Sequence, residues 1–166
     1  MGKFLTSASR IEQVGRRKYK LIDNELYLDD DGSIYLVWRN YITDNFTWIN
    51  SNEYDTRCSH IHDEGCQYHA IVKVLLSEEL LKAFKYLRVK DDKIICEDIP
   101  KRFLEIVPVS GHWINNLFYR MLRDADTPPT PKYIQCAYRA GVSLNFKWFF
   151  KKQKLDLDKV YQNETA

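Results

Sequence analysis

The stretch CSHIHDEGCQYH, from Cys58 to His69, concentrates the side chains in this sequence that do acid–base or metal chemistry. It holds three of the four histidines (His60, His62, His69) and two of the four cysteines (Cys58, Cys66), with Asp63 and Glu64 between them. Imidazole and thiolate are the preferred zinc ligands, and a catalytic zinc keeps one position open for water. If the stretch is helical, His62, Cys66 and His69 fall on one flank. Those three then predict a zinc site, with His112, the remaining histidine, as the distant ligand. Asp44 or Asp63 would ligate, orient a histidine, or act as general base on a metal-bound water.

The same residues allow other chemistry. A His62–Asp or His112–Asp pair would do metal-free acid–base work. Cys66 beside His62 or His69 would have the adjacent base a thiol nucleophile needs. A bland alternative uses the same pattern: cysteines packed as small hydrophobes and histidines bonded locally. The paired CxxC of a zinc ribbon and the HExxH of a metalloprotease are missing. So are a glycine-rich phosphate loop, a dinucleotide fingerprint and a GxSxG elbow, in a chain with six glycines.

The elements that would hold these residues can be read from periodicity. Ile61, Gly65, Tyr68, Val72 and Leu76 recur at one-face spacing and predict a helix over 59–76, with Ser59 as N-cap and Asp63 and Glu64 complementing its positive start. Before it, Tyr19–Ile22, Glu25–Leu28 and Ser33–Trp38 are short β-like runs split by Asp23-Asn24 and Asp29-Asp30-Asp31-Gly32. They predict an antiparallel meander. Residues 1–17 are polar and weakly patterned, and Asp44 suits a cap or turn.

After it, Ser77 caps a short helix, Val89–Ile95 forms a hairpin around Asp91-Asp92, and Phe103–Val107 is a strand stopped by Pro108. Ile114, Leu117, Phe118, Met121 and Leu122 share one face of a helix over 111–125 that Ser110 caps and the prolines of TPPTP end. A further helix is expected over 131–150, interrupted near Gly141. The expectation is one small α+β domain over 1–150, an N-terminal meander packed by three or four helices, with a polar tail over 151–166.

Composition fits this size. The 166 residues are 45% hydrophobic and 29% charged, ordinary for a globular protein, and suffice for one core without disulfides. A net charge of +2 gives no strong nucleic-acid signal. The local basic groups are Arg16-Arg17-Lys18-Tyr19-Lys20, and Lys147 with Lys151, Lys152 and Lys154. No apolar run reads as a secretory signal or a membrane span, and irregularly spaced cysteines read as thiols in a reducing compartment. Aromatic content of 14%, with 11 Tyr, 8 Phe and 4 Trp, supplies flat contact surfaces.

Three separated pieces carry a family resemblance. They are Thr43-Asp44-Asn45-Phe46-Thr47, then Ser59-His60-Ile61-His62-Asp63, then Asn115-Asn116-Leu117-Phe118 with Met121-Leu122 and a closing Ala140-Gly141-Val142. Together they resemble the phage- and prophage-associated domain of unknown function 1353, with its T-D-x-x-S segment, I-H-D helix and A-D-x-x-F helix followed by G-V. The resemblance implies a small α+β domain from tailed-phage genomes with no established activity, working in the host cytoplasm or the virion. It carries the family's positions onto Asp44, His62 and Asp63. The chain departs from the pattern at Asn115, where the family has a third acidic residue, and at Thr47, where it has serine.

Two functions follow as expectations. One is a His/Asp hydrolytic site, metal-assisted or not, in which His62 or the metal activates water and Asp63 orients the imidazole. The other is non-enzymatic: a virion component or host-factor-binding protein using its aromatic surface and basic tail.

Overall fold

The computed structural model describes residues 1–7, 10–43, 56–124, 131–133, 135–137, 140 and 153–158. These form a mixed α+β domain. Ten strands are β1 (Lys3–Phe4), β2 (Ile11–Gly15), β3 (Lys18–Leu21), β4 (Glu25–Leu28), β5 (Ile34–Val37), β6 (Ile42–Thr43), β7 (Ala70–Val74), β8 (Leu87–Lys90), β9 (Lys93–Cys96) and β10 (Leu104–Pro108). The α-helices are α1 (Arg57–Tyr68), α2 (Glu78–Ala83) and α3 (Gly111–Asp124), and a 3-10 turn spans Lys101–Phe103.

The main sheet is antiparallel in the order β1-β4-β5-β7-β10. Its register aligns Leu26, Leu36, Val72 and Ile106 across four strands, and Tyr27, Tyr35, Lys73 and Glu105 in the next row. Successive residues point to opposite faces, so these rows line opposite sides of the sheet. The tyrosine row faces the α1–α3 layer: Tyr35 packs edge-on against Trp113, and Tyr27 donates a 2.7 Å hydrogen bond to Asp124. The aliphatic row is apolar on the other side, where Leu26, Leu36 and Val72 are fully buried. Lys3, 2.9 Å from Glu78, ties α2 to the β1 edge.

The expected N-terminal meander divides between two sheets. β4 and β5 pair as a hairpin, but β3 pairs with β2 and β6 in a separate sheet. Leu21 and Asn24 explain the departure. Leu21 bonds through its main chain to Asn40 and Tyr41, and the Asn24 side chain reaches Cys96, Asp98 and the Arg39 amide. The chain therefore crosses between sheets instead of turning back. β1 and β2 occupy the segment that lacked a pattern, because β2 is largely exposed and β1 has only two residues.

The helix expected over 59–76 ends at Tyr68. His69 takes a left-handed φ of 51°, and Ala70–Val74 is a strand between β5 and β10. Ile71, Val72 and Val74 are β-branched and almost fully buried, which suits a central strand. The helix also starts earlier than Ser59. Thr56 is the N-cap residue, Ser59 Oγ donates to the Thr56 carbonyl within the first turn, and Asp63 and Glu64 lie mid-helix.

Later elements follow the pattern, except that Phe103 closes the 3-10 turn and β10 runs on through Pro108, which pairs with Ala70 at the sheet edge. Ser77 accepts from the Leu80 amide at the start of α2, and Ser110 accepts from the Trp113 amide at the start of α3. Asp91 and Asp92, at φ of 50° and 60°, turn the β8–β9 hairpin. The five residues of the expected α3 stripe, Ile114, Leu117, Phe118, Met121 and Leu122, are all buried. The described residues among 132–140 are helical, and the rest of the helix expected over 131–150 lies outside the described residues. Part of the expected polar tail packs on the domain: Leu155 is buried, and the Gln153 amide donates to the Gln67 carbonyl.

Candidate functional site

The site begins with a missing side chain. At Gly65, in the second half of α1, an added Cβ would lie 2.4 Å from Cγ1 of buried Ile114. Only glycine lets α3 approach this closely, and that approach sets the next α3 residue, Asn115, against His62. His62 Nε2 and Asn115 Oδ1 are 3.0 Å apart, and the imidazole lies on Phe118 with ring centroids 4.7 Å apart. Asn115 Oδ1 is an acceptor, so the imidazole donates through Nε2.

One helical turn on, Cys66 Sγ is 3.5 Å from the same Nε2. On the other side of the ring, Nδ1 is 4.0 Å from Asp63 Oδ1, an ionic contact longer than a hydrogen bond. Burial pushes the pKa of His62 down, but its interactions with Asp63 and Cys66 outweigh it and raise the value to about 10. The raised value favours the imidazolium form, in which the ring is a proton donor.

Asp63 is fixed from a third element. Thr43 Oγ1, on β6, donates to Asp63 Oδ2 at 2.5 Å. Asp63 and Thr43 border an open cleft of about 330 Å³, with Lys18, Tyr41, Gln67 and Gln153 on its walls. Tyr41 donates to Gln67 Oε1, and Gln67 Nε2 donates to Gln153 Oε1, so the amide wall is a bonded chain.

The proposed ligands divide. His62 and Cys66 are neighbours. His69 sits at the left-handed end of α1, where its carbonyl accepts from Val109, and His112 is exposed on α3 and bonded to Asn116. Among the described residues no three His, Cys, Asp or Glu side chains group to hold a metal. Asp44 lies outside the described residues, although its neighbour Thr43 is in the cluster.

Buried polar residues whose partners the sequence did not indicate lie behind the cluster. His60 is completely buried, with Nδ1 2.9 Å from Glu25 Oε2 on β4. Arg57 stacks over the Phe4 ring, 4.2 Å from its centroid, and donates to the Thr6 carbonyl. Glu64, also fully buried, accepts from the Val72 amide through Oε1, while Oε2 has no hydrogen-bond partner among the described residues. Burial raises the Glu64 pKa well above that of a free glutamic acid. The sequence suggested a helix-start role for Glu64, and nothing in it named partners for His60 and Glu64 on β4 and β7.

No protein-family model, curated protein or solved structure matches the chain. Among the described residues, no helix is long and apolar enough to cross a membrane.

Proposed function

We propose that the chain is a phage-type protein in which Asp63 and His62 form a hydrolytic pair, with substrate seated in the adjoining cleft. One observation carries the reading. Thr43, His62–Asp63 and Asn115 come from β6, α1 and α3, far apart in sequence, and meet through two side-chain contacts, at 2.5 and 3.0 Å. A pair of titratable groups held from both sides, with Asp63 in the wall of the adjoining cleft, is an arrangement suited to proton transfer to a bound substrate.

The roles differ from those expected from sequence. The raised pKa makes His62 the acid, which gives its Nδ1 proton, on the Asp63 side of the ring, to a leaving group, while the Asp63 carboxylate takes a proton from water and returns it to the ring to complete the cycle. Asn115 positions the imidazole through Nε2, and Thr43 positions the carboxylate. In its simplest form the reaction needs no metal, since only His62 and Cys66 of the four expected ligands are neighbours. A zinc-assisted form would draw its remaining ligands from Asp44 or from further residues outside the described set.

The test is hydrolysis of chromogenic carboxylic-ester and phosphodiester substrates by the purified chain, with and without added zinc. Turnover that falls at least about 100-fold in Asp63→Asn and in His62→Gln, in proteins that keep their circular dichroism, supports the pair, since general acid–base groups contribute ~10²–10⁴-fold. Turnover equal in the wild type and both variants, or none in the wild type, refutes it.

A further inference from the structure

A second opening, about 420 Å³, lies between β1, α2 and the β8–β9 hairpin and shares no residue with the Thr43–Asp63 cleft. Its apolar floor includes Leu5, Leu87, Val89 and Ile94. Val89 and Ile94 are directly opposite each other across the hairpin, yet they are 75% and 44% exposed. Neighbouring β-branched side chains held in register on an open face are placed to bury area against a partner, whereas a purely solvated hairpin is served by polar residues there.

The rim is positive. Lys3, Lys82 and Arg88 border the groove with a single carboxylate, Glu78, whose two oxygens are divided between Lys3 and Lys82. Arg88 is 3.6 Å from Glu97, which does not line the groove, and Asp91 and Asp92 lie at the hairpin tip beyond it. The hairpin edge is also open on one side. β9 is bonded to Ser7 and bridged to Asn24, whereas β8 pairs only with β9 among the described residues.

We infer that this groove docks an extended, acidic segment of a partner protein. Apolar side chains of the segment lie on Val89 and Ile94, its carboxylates meet Lys82 and Arg88, and its main chain pairs with the free edge of β8. The charge argues against a second copy of the chain as occupant, because a two-fold contact at this groove would set cations against cations. It argues against nucleic acid too: three rim cations around an apolar floor offer few phosphate contacts.

The experiment measures fluorescence anisotropy of labelled peptides on the full chain. One peptide alternates glutamate with valine, its counterpart alternates lysine with valine, and a labelled oligothymidine serves as the nucleic-acid probe. The expected result is binding of the acidic peptide alone, weakened at least about tenfold by Val89→Asp and by Lys82→Glu with Arg88→Glu, and weakened by salt. Val89 is so exposed that its substitution leaves the fold intact, which circular dichroism checks. Equal binding of both peptides, binding of neither, binding insensitive to these substitutions, or tighter binding of the oligonucleotide overturns the inference. So does self-association in sedimentation that Val89→Asp abolishes, which would assign the groove to a second copy.

Discussion

His62 on α1 and Asn115 on α3 are joined by a 3.0 Å contact between Nε2 and Oδ1, beside the close approach of the two helices at Gly65. The contact fixes which ring nitrogen faces α3 and leaves Nδ1 toward Asp63, so the chemistry assigned to His62 depends on a neutral amide 53 positions away.

Replacing that amide by a carboxylate tests the dependence. In Asn115→Asp a negative charge faces the imidazole, so the His62 pKa rises above about 10; in Asn115→Leu the acceptor is lost and the pKa falls. The leucine variant also leaves a partly buried N–H without its partner and loses about 1–3 kcal/mol of stability. Imidazole proton and carbon shifts followed by NMR across pH give the first result, and urea unfolding gives the second.

The raised pKa of His62 also sets a pH dependence of stability. The folded state holds the proton more tightly than the unfolded chain. The stabilisation is therefore complete below the unfolded pKa of 6.5 and is lost as pH rises through about 10. Urea midpoints of the wild type are expected to fall over that window, and those of His62→Gln to fall less.

Glu64 adds a slope of the same sign lower on the scale. Its folded pKa lies well above the ordinary 4.5, so stability declines as pH rises past that value until the folded group ionises. Glu64→Gln keeps an acceptor for the Val72 amide and cannot ionise. It is expected to be more stable than the wild type at pH values where the buried carboxylate would ionise, and to show a flatter stability profile from mildly acidic to alkaline pH.

At Gly65 two effects compete. Alanine gains about 1 kcal/mol of helix propensity, but its Cβ would overlap Cγ1 and Cδ1 of Ile114 at 2.4 and 2.5 Å, and overpacking costs about 1–3 kcal/mol. The overlap wins, so Gly65→Ala is expected to destabilise. Removing both atoms in Ile114→Ala should relieve it, giving a favourable coupling in the double-mutant cycle.

The elements readable in the sequence are those set by local chemistry. Ser77 and Ser110 cap their helices, Asp91-Asp92 turns a hairpin, and the α3 stripe is uninterrupted by strand-like residues. The α1–β7 junction was hidden because Val72 and Leu76 continue the helical spacing of Ile61, Gly65 and Tyr68 by coincidence. The left-handed turn at His69 breaks it, and histidine does not announce that conformation as glycine does. β3 leaves the expected meander through Leu21 main-chain bonds and Asn24 contacts with residues up to 74 positions away, which no local window contains. The candidate site divides in the same way. His62 and Cys66 were visible on one helical flank, with Asp63 beside them in sequence, whereas Thr43 and the pairing of His60 with Glu25 depend on strand placement.

The most direct test of the central claim, that His62 is the proton donor of a hydrolytic pair with Asp63, is the alkaline limb of the pH–rate profile of ester or phosphodiester hydrolysis. The account predicts a fall in kcat/KM with a pKa of about 10, absent from the residual rate of His62→Gln and shifted upward in Asn115→Asp. A limb near the ordinary histidine value of 6.5 with activity rising as pH increases, or an alkaline limb unchanged in His62→Gln, would contradict it.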